Sequence, residues 1–234
     1  MYRITKKYFY FVIVVVLLVL LLGIILYFTY TNRRVYKESF GIDENPHNFI
    51  QPQVYPNIIS EDEARYILEK SKDNFKDSEI LSGYESSIRK SKNTWISRDD
   101  PIVKNIIQRV CNIDNIPFDN AEDLQVVKYQ PNGYYKEHND SCCEDNEYCK
   151  EFLTRGGNRI VTMLIYLNDE FEGGATKFTK MNKEIKPDKY SGILFYSMNK
   201  NKDKCHSLSM HAGLPITSGE KYVANVWIRE SKFT

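Results

Sequence analysis

Val126-Val127-Lys128-Tyr129-Gln130-Pro131-Asn132-Gly133-Tyr134-Tyr135-Lys136-Glu137-His138-Asn139-Asp140 is the stretch on which the reading of this chain turns. β-Branched and aromatic residues run up to Pro131-Asn132-Gly133, whose composition is that of a turn, and a second extended run follows. Strands are expected at Leu124–Tyr129 and Tyr135–His138. On an extended segment side chains alternate between faces, so His138 and Asp140 point the same way. Far downstream stand His211 and, ten residues after it, Lys221. Two imidazoles and one carboxylate suit non-haem Fe(II) and leave coordination positions open for oxygen and a chelating co-substrate. A nearby lysine would neutralise the far carboxylate of a dicarboxylic acid. His-x-Asp alone is weak evidence, because a surface histidine and a turn aspartate also produce it.

Outward from this stretch the pattern is of short strands. Ile160–Leu167, Thr176–Phe178, Gly192–Tyr196, Ser207–Met210 and Tyr222–Ile228 read as strands, separated by turn residues at Glu172-Gly173-Gly174 and Thr217-Ser218-Gly219. Toward the start the period changes. Ser60-Glu61-Asp62-Glu63 has capping-box spacing and opens a helix to about Phe75. Asp99-Asp100-Pro101 opens a second, with Ile102, Val103, Ile106, Ile107 and Val110 as its apolar stripe. Two helices followed by many short strands imply an α+β domain, helices packed on a β-sandwich or barrel.

The first residues differ from the rest. Tyr8 to Asn32 holds no charged residue, and as a helix it would extend roughly 37 Å, long enough to span a bilayer. The expected organisation is a short tail at 1–7, a transmembrane anchor at 8–32, a proline-containing linker at 33–56 and one domain at 57–234. A cleaved signal peptide competes, but its apolar region is shorter and ends in small residues, unlike Tyr27, Phe28 and Tyr30. Arg3, Lys6 and Lys7 before the span balance Arg33, Arg34 and Lys37 after it, so flanking charge does not orient it. Residues 1–40 carry six Lys/Arg and one acid. The remainder has 26 basic and 30 acidic groups, a net charge near −4 that argues against a nucleic-acid partner.

Five cysteines give an odd count. Cys142, Cys143 and Cys149 cluster, while Cys111 and Cys205 are isolated. One loop disulfide involving Cys149, with room for a second bridge, competes with unpaired thiols; a zinc knuckle lacks a fourth ligand. Asn139-Asp140-Ser141 fits the glycosylation pattern, but a glycan there would block the pocket, so none is expected. His206 reads as a surface or supporting residue and His47 as solvated.

Three ordered motifs together carry more than any one. The quoted stretch resembles the first signature of the prolyl 4-hydroxylase family of 2-oxoglutarate oxygenases. Arg159-Ile160-Val161-Thr162-Met163-Leu164-Ile165-Tyr166-Leu167-Asn168 with Gly173-Gly174-Ala175-Thr176-Lys177-Phe178 is similar to its central strands. His211-Ala212-Gly213-Leu214-Pro215, Gly219-Glu220-Lys221-Tyr222 and Asn225-Val226-Trp227-Ile228-Arg229 resemble its closing signature. The resemblance covers about residues 53–230. It implies a double-stranded β-helix (jelly-roll) core with flanking N-terminal helices. By the same resemblance His138, Asp140 and His211 are the metal ligands and Lys221 the partner of the distal 2-oxoglutarate carboxylate. Tyr129 and Thr176 take the place of its hydroxyl partners, and Tyr135, Arg159 and Trp227 line the peptidyl-proline groove, with Arg155 as competitor for the Arg159 role. Fe(II), 2-oxoglutarate, O2 and L-ascorbate are the implied cofactors. The implied activity is oxidative decarboxylation of 2-oxoglutarate to succinate coupled to hydroxylation of a proline-containing peptide. Placed behind the anchor, it implies a single-pass protein of an endoplasmic-reticulum-type membrane with a lumenal catalytic domain.

Departures are visible. Asn132-Gly133 replaces a simple glycine, Ala175 stands where the family usually has Glu, and Tyr222 where Trp is common. The segment Ser141–Thr154 looks like a local elaboration beside the metal mouth. The same chemistry on another side chain or a small molecule is the nearest alternative, although a lysine at 221 favours the prolyl over the lysyl hydroxylases. A silent barrel that binds proline-rich peptides is the other.

Overall fold

A computed structural model describes residue 9 and residues 11–26, 41–78 and 87–234. The chain divides into two compact units, residues 1–39 and 40–234. In the first, the described helix covers residues 11–26, about 24 Å at helical rise against a hydrocarbon core of about 30 Å. Among the described residues no helix is long and apolar enough to cross a membrane. The expected transmembrane helix at 8–32 is corrected accordingly, and with it the bilayer partner and the single-pass, lumenal placement. Residues 8, 10 and 27–32 of that expectation lie outside the described residues.

The second unit is built on two facing sheets. The larger orders seven strands as β2 (Gln53–Tyr55), β12 (Gly192–Tyr196), β8 (Arg159–Tyr166), β16 (Lys221–Arg229), β6 (Leu124–Tyr129), β5 (Lys92–Ile96) and β3 (Lys76–Asp77). The smaller orders β11 (Lys183–Ile185), β10 (Thr176–Phe178), β14 (His211–Gly213), β7 (Tyr134–His138) and β4 (Arg89–Lys90). Two short pairs complete it: β1 (Ile42–Asp43) with β13 (Cys205–His206), and β9 (Phe171–Gly173) with β15 (Ile216–Gly219). The pairings within the two larger sheets are antiparallel, as a jelly-roll core requires. β1 and β2 arise from the segment expected as linker; Pro52 and Pro56 flank β2, which lies at a sheet edge where proline is tolerated.

Period-two alternation sorts the larger sheet into two faces. Val126, Met163, Ile165, Ala224 and Val226 pack into one cluster with Ile67, Val103, Ile106 and Ile107. Those last come from helices α1 (Glu61–Ser71) and α2 (Pro101–Cys111). Both helices start as their caps dictate. The Ser60 amide donates to the Glu63 carboxylate and the Glu63 amide to the Ser60 hydroxyl, and Asp100 accepts from the Ile102 and Val103 amides. α1 stops four residues short of Phe75, because Asn74 turns back onto Ser71 and Lys70. Val127, Tyr129, Leu164, Tyr166 and Val223, the alternate residues, face the second sheet and cluster with Phe171, Phe178 and Phe195. The inner face, not the helix face, therefore carries the chemistry.

Strands β3, β4, β5, β9, β11 and β15 are not among the expected elements, and two further local features differ from expectation. Ser207–Met210 is not a strand but a 3-10 turn followed by β14. His206 Nδ1 accepts from the Leu208 amide and Ser209 Oγ donates to the His206 carbonyl, which curls the chain before His211. Ser141–Thr154 contains a third helix, α3 (Glu147–Thr154), capped by Asn146.

Candidate active site

His138 ends β7 and His211 begins β14; the two are direct cross-strand partners. This register brings together residues 73 positions apart. Asp140 follows two residues after His138 on the same side, and one ligand atom from each of the three lies within 4.8 Å of the others. The hydrogen bonds decide which atoms remain free. The Nδ1 of His138 meets the Lys136 carbonyl at 2.8 Å and that of His211 meets the Ser209 carbonyl at 3.0 Å. Each ring thus donates from Nδ1 and turns a lone pair on Nε2 toward Asp140. Those Nε2 atoms stand 3.7 and 3.9 Å from Asp140 Oδ1. Asp140 Oδ2 is already taken, by Thr162 Oγ1 at 2.7 Å and the Trp227 indole N–H at 3.1 Å. Three donors of mixed hardness, two imidazole and one carboxylate oxygen, are left aimed at one point, which fits Fe(II).

The charge states agree. Burial, then the neighbouring His211, drives His138 down to about 3, so it is neutral at physiological pH. Burial would raise Asp140, but His211, His138, Arg159 and the Thr162 hydroxyl outweigh it and hold the carboxyl below its ordinary range. Loss of the Thr162 hydroxyl would leave Oδ2 with one donor. Thr162→Val is expected to weaken metal affinity by about 10-fold or more, the range typical of partners behind a ligand; titration of the apo-protein with Mn(II) measures it.

Lys221 opens β16 on the inner face and is 3% exposed. Its Nζ donates to two neutral oxygens, Tyr166 Oη at 3.2 Å and the Gly174 carbonyl at 2.5 Å. Tyr166 Oη in turn lies 2.8 Å from Thr176 Oγ1, and Nζ sits 5.7 Å from the Tyr129 ring centroid. Tyr129, Thr176 and Lys221 are thus gathered at the inner end of the site. Gly174, at φ +66°, carries the tight turn that presents its carbonyl; a Cβ there would fall 2.3 Å from Ile216 Cδ1 and 3.2 Å from Lys221 Cδ. Burial, with a contribution from Lys186, lowers Lys221 to about 7. A buried ammonium whose partners are neutral is a place for a carboxylate.

The trio opens into a cleft of about 840 Å³ lined by Tyr129, Tyr135, Arg159, Thr176 and Trp227 among others. Tyr135 stacks on the His138 ring, centroids 3.6 Å apart. Arg159 lies flat on Trp227, its Cζ 3.5 Å from the ring centroid. Eight of the nine residues singled out from the sequence line this cleft, and Lys221 is linked to one of them, Thr176, through the Tyr166 hydroxyl. Arg155, the competitor of Arg159, also lines the cleft, but it is exposed and rests against Phe233.

Other residues complete the site without having been read. Glu122, buried, binds Arg159 through two bonds of 2.6 and 2.8 Å and Arg229 at 2.8 Å, and so fixes the guanidinium over Trp227. Arg89 lies 4.6 Å from the Tyr135 ring centroid. Thr162 and Tyr166 were readable in principle, since counting by two along β8 from Leu164 puts both on the inner face. Asn132, at φ +62°, takes the left-handed turn position in Pro131-Asn132-Gly133. Gly133 is needed for closeness, because a Cβ would meet the Gln130 carbonyl at 2.7 Å. That accounts for the Asn-Gly departure.

The 2OG-Fe(II) oxygenase superfamily profile matches residues 124–229. A protein of Acanthamoeba polyphaga mimivirus with a provisional prolyl 4-hydroxylase name is 47% identical over 196 residues, 84% of this chain and 80% of the relative. Prolyl 4-hydroxylase 1 of Arabidopsis thaliana is 31% identical over 198 residues, 76% of this chain and 68% of the relative. The crystal structure of the viral collagen prolyl hydroxylase of Paramecium Bursaria Chlorella virus-1, a 2OG complex, superposes with a TM-score of 0.59 at 28% identity. That superposition covers 76% of this chain and 94% of the viral protein.

Proposed function

The chain belongs to the prolyl 4-hydroxylase family of the 2OG-Fe(II) oxygenase superfamily, and from that premise we propose that it hydroxylates prolyl residues of a peptide or protein. It is a 2-oxoglutarate-dependent dioxygenase using Fe(II) and O2, and ascorbate is the reductant typical of its family. Bound at the site, Fe(II) with 2-oxoglutarate and O2 supplies the oxidation that yields succinate and CO2 and puts one oxygen atom on an unactivated C–H bond.

The chain's own part is positioning. His138 and His211 present Nε2, and Asp140 presents Oδ1, as the metal ligands. Lys221 receives the far carboxylate of 2-oxoglutarate, with Tyr129, Tyr166 and Thr176 offering hydroxyls around it. Tyr135 and Trp227 flank the ligands with aromatic faces suited to a prolyl ring. Arg159, held by Glu122, has guanidinium N–H groups left for peptide carbonyls. The observation that carries this reading is the division of labour at Asp140. One oxygen is held by Thr162 and Trp227, and the other faces two free imidazole nitrogens.

The test is incubation of the purified protein with Fe(II), ascorbate, 2-oxoglutarate and a library of proline-rich peptides. Expected are succinate release that requires a peptide and one added oxygen atom on a proline of that peptide. Oxygen found on another side chain, or succinate release indifferent to every proline peptide, would overturn the substrate assignment.

A pH dependence follows from Lys221. Its pKa is about 7 before the co-substrate binds, and a carboxylate beside it raises that value. Protonation and binding therefore favour one another. Apparent affinity for 2-oxoglutarate is expected to be highest below about pH 7 and to fall as pH rises above it, with proton uptake on binding. Calorimetric titration in buffers of different ionisation enthalpy measures both; affinity that rises from pH 7 to 9 would contradict the lysine's role.

A further inference from the structure

α3 and the arch leading to it stand directly after Asp140, and their attachments fall into two sets. The foot of the arch is latched by hydrogen bonds. Asn158 clasps Cys142 from both sides, Oδ1 accepting from its amide at 2.8 Å and Nδ2 donating to its carbonyl at 2.9 Å. Ser141 Oγ donates to the Arg159 carbonyl, and Asn139 Nδ2 donates to Ser209 Oγ. Beyond the foot, the attachment is covalent. Cys142 is bridged to Cys149 in the first turns of α3. Cys143 is bridged to Cys205, 62 residues away, in the segment that leads to His211. Around that second bridge the Gly41 amide donates to the Cys143 carbonyl, and Ile42 pairs with Cys205.

The far side of the arch faces the cleft. Tyr148 and Phe152 of α3 line it, and Phe152 rests against the guanidinium of Arg229, whose Cζ is 4.0 Å from its ring centroid. Residues 144–148 are all exposed and so have little packing of their own to hold the arch in place. The elaboration is thus a wall of the cleft held by hydrogen bonds at its foot and at Phe152, whose carbonyl accepts from Arg229 Nη1 at 2.9 Å, and by sulfur over the exposed span between.

We propose that the Cys143–Cys205 disulfide is the strap that holds the α3 wall against the cleft and thereby sets affinity for the peptide substrate. The inference rests on the peptide-hydroxylase reading above. Two-electron reduction by a dithiol converts the bridge to two thiols while the dithiol closes to its own disulfide. The arch then loses its covalent tie to the His211 side and keeps only the Asn139–Ser209 hydrogen bond there, while Asp140 keeps Thr162 and Trp227 and the foot keeps Asn158. Peptide binding weakens, whereas metal and 2-oxoglutarate sites stay as they are. Cys143 is half-buried and Cys205 fully buried, so a reductant reaches the strap from the Cys143 side. Cys111, buried in the helical core with its thiol pushed up to about 11, takes no part.

The experiment compares the full chain with its Cys143→Ser/Cys205→Ser variant, each as holoenzyme. Expected are a rise in peptide KM of about 10-fold or more, with kcat, 2-oxoglutarate KM and Mn(II) affinity within about twofold, and faster backbone hydrogen exchange across residues 144–154 without peptide. An unchanged peptide KM in a folded variant overturns the proposal, and so does an equal weakening of 2-oxoglutarate or metal binding. Should the variant not fold, Cys142→Ser/Cys149→Ser protein, which keeps only the Cys143–Cys205 bridge, gives the exchange comparison with and without a dithiol. Exchange across 144–154 that is the same in both states overturns the strap whatever the substrate proves to be. Faster exchange with no proline hydroxylated in any peptide overturns the substrate reading instead and leaves the strap standing.

Discussion

Asp140→Ala is expected to abolish peptide-dependent succinate formation, by about 10³-fold or more, in a protein that remains folded. The magnitude follows from the metal's share of catalysis, several kcal/mol of transition-state stabilisation at 1.36 kcal/mol per factor of ten. Asp140 is the only anionic member of the trio, and it lies at the meeting point of two strands and the β8 and β16 inner faces. Its loss removes one ligand and frees the Thr162 hydroxyl and Trp227 indole to meet water, without disturbing either hydrophobic cluster. Asp140→Asn is the sharper variant. It can keep a carbonyl oxygen for Thr162 and Trp227 but puts an uncharged NH2 group where Oδ1 stood, so a large loss there identifies the ligating, charged second oxygen, not the shape, as what matters. Mn(II) titration alongside the turnover assay separates a lost metal from a misplaced one. Near-native turnover in either variant would remove Asp140 from the metal site.

Lys221→Ala is expected to raise the apparent KM for 2-oxoglutarate by about 100-fold. Truncating one partner of a buried, hydrogen-bonded charge pair costs roughly 2–5 kcal/mol, and 1.4 kcal/mol is tenfold in affinity. The lysine is buried, sits at the inner end of the site and bonds two neutral oxygens, whereas the neighbouring Lys186 donates to the Phe171 carbonyl. Lys221→Arg should fare little better. A planar five-donor fork is larger than an ammonium, and the Lys221 stem is already packed against the Gly174 turn. Metal affinity should be unchanged in both variants. An unchanged 2-oxoglutarate KM in Lys221→Ala would place the distal carboxylate elsewhere.

How legible this molecule was in its sequence depended on the range over which each signal acts. Period-two alternation placed β6, β7, β8, β12 and β16 within a residue or two of their ends, and His138 with Asp140 on one face, because strand geometry is local. Capping chemistry placed the starts of α1 and α2 for the same reason. The register that sets His211 opposite His138 is a tertiary fact. Only the ordered set of three motifs hinted at it. The same holds for Glu122, which bonds Arg159 and Arg229 from outside every motif, and for Cys205, whose partner is 62 residues away. The 3-10 turn at Ser207–Ser209 was lost to side-chain hydrogen bonds that outcompete the strand tendency of the run. α3 was legible but unread: Asn146 is a good cap, and Cys149 and Leu153 form a buried stripe four residues apart. The N-terminal span failed differently, since apolar composition predicts what a segment tolerates, and the described helix is shorter than the uncharged run that suggested it.

The central claim is that two imidazoles and one aspartate oxygen hold a single ferrous ion. Anomalous diffraction at the iron edge, from crystals of the full chain grown anaerobically with Fe(II) and 2-oxoglutarate, tests it most directly. The expected result is one iron per chain, bonded to Nε2 of His138, Nε2 of His211 and Oδ1 of Asp140, with the co-substrate's far carboxylate on Lys221. Iron located away from these three atoms, or bound to Asp140 through the oxygen that Thr162 and Trp227 hold, would contradict it.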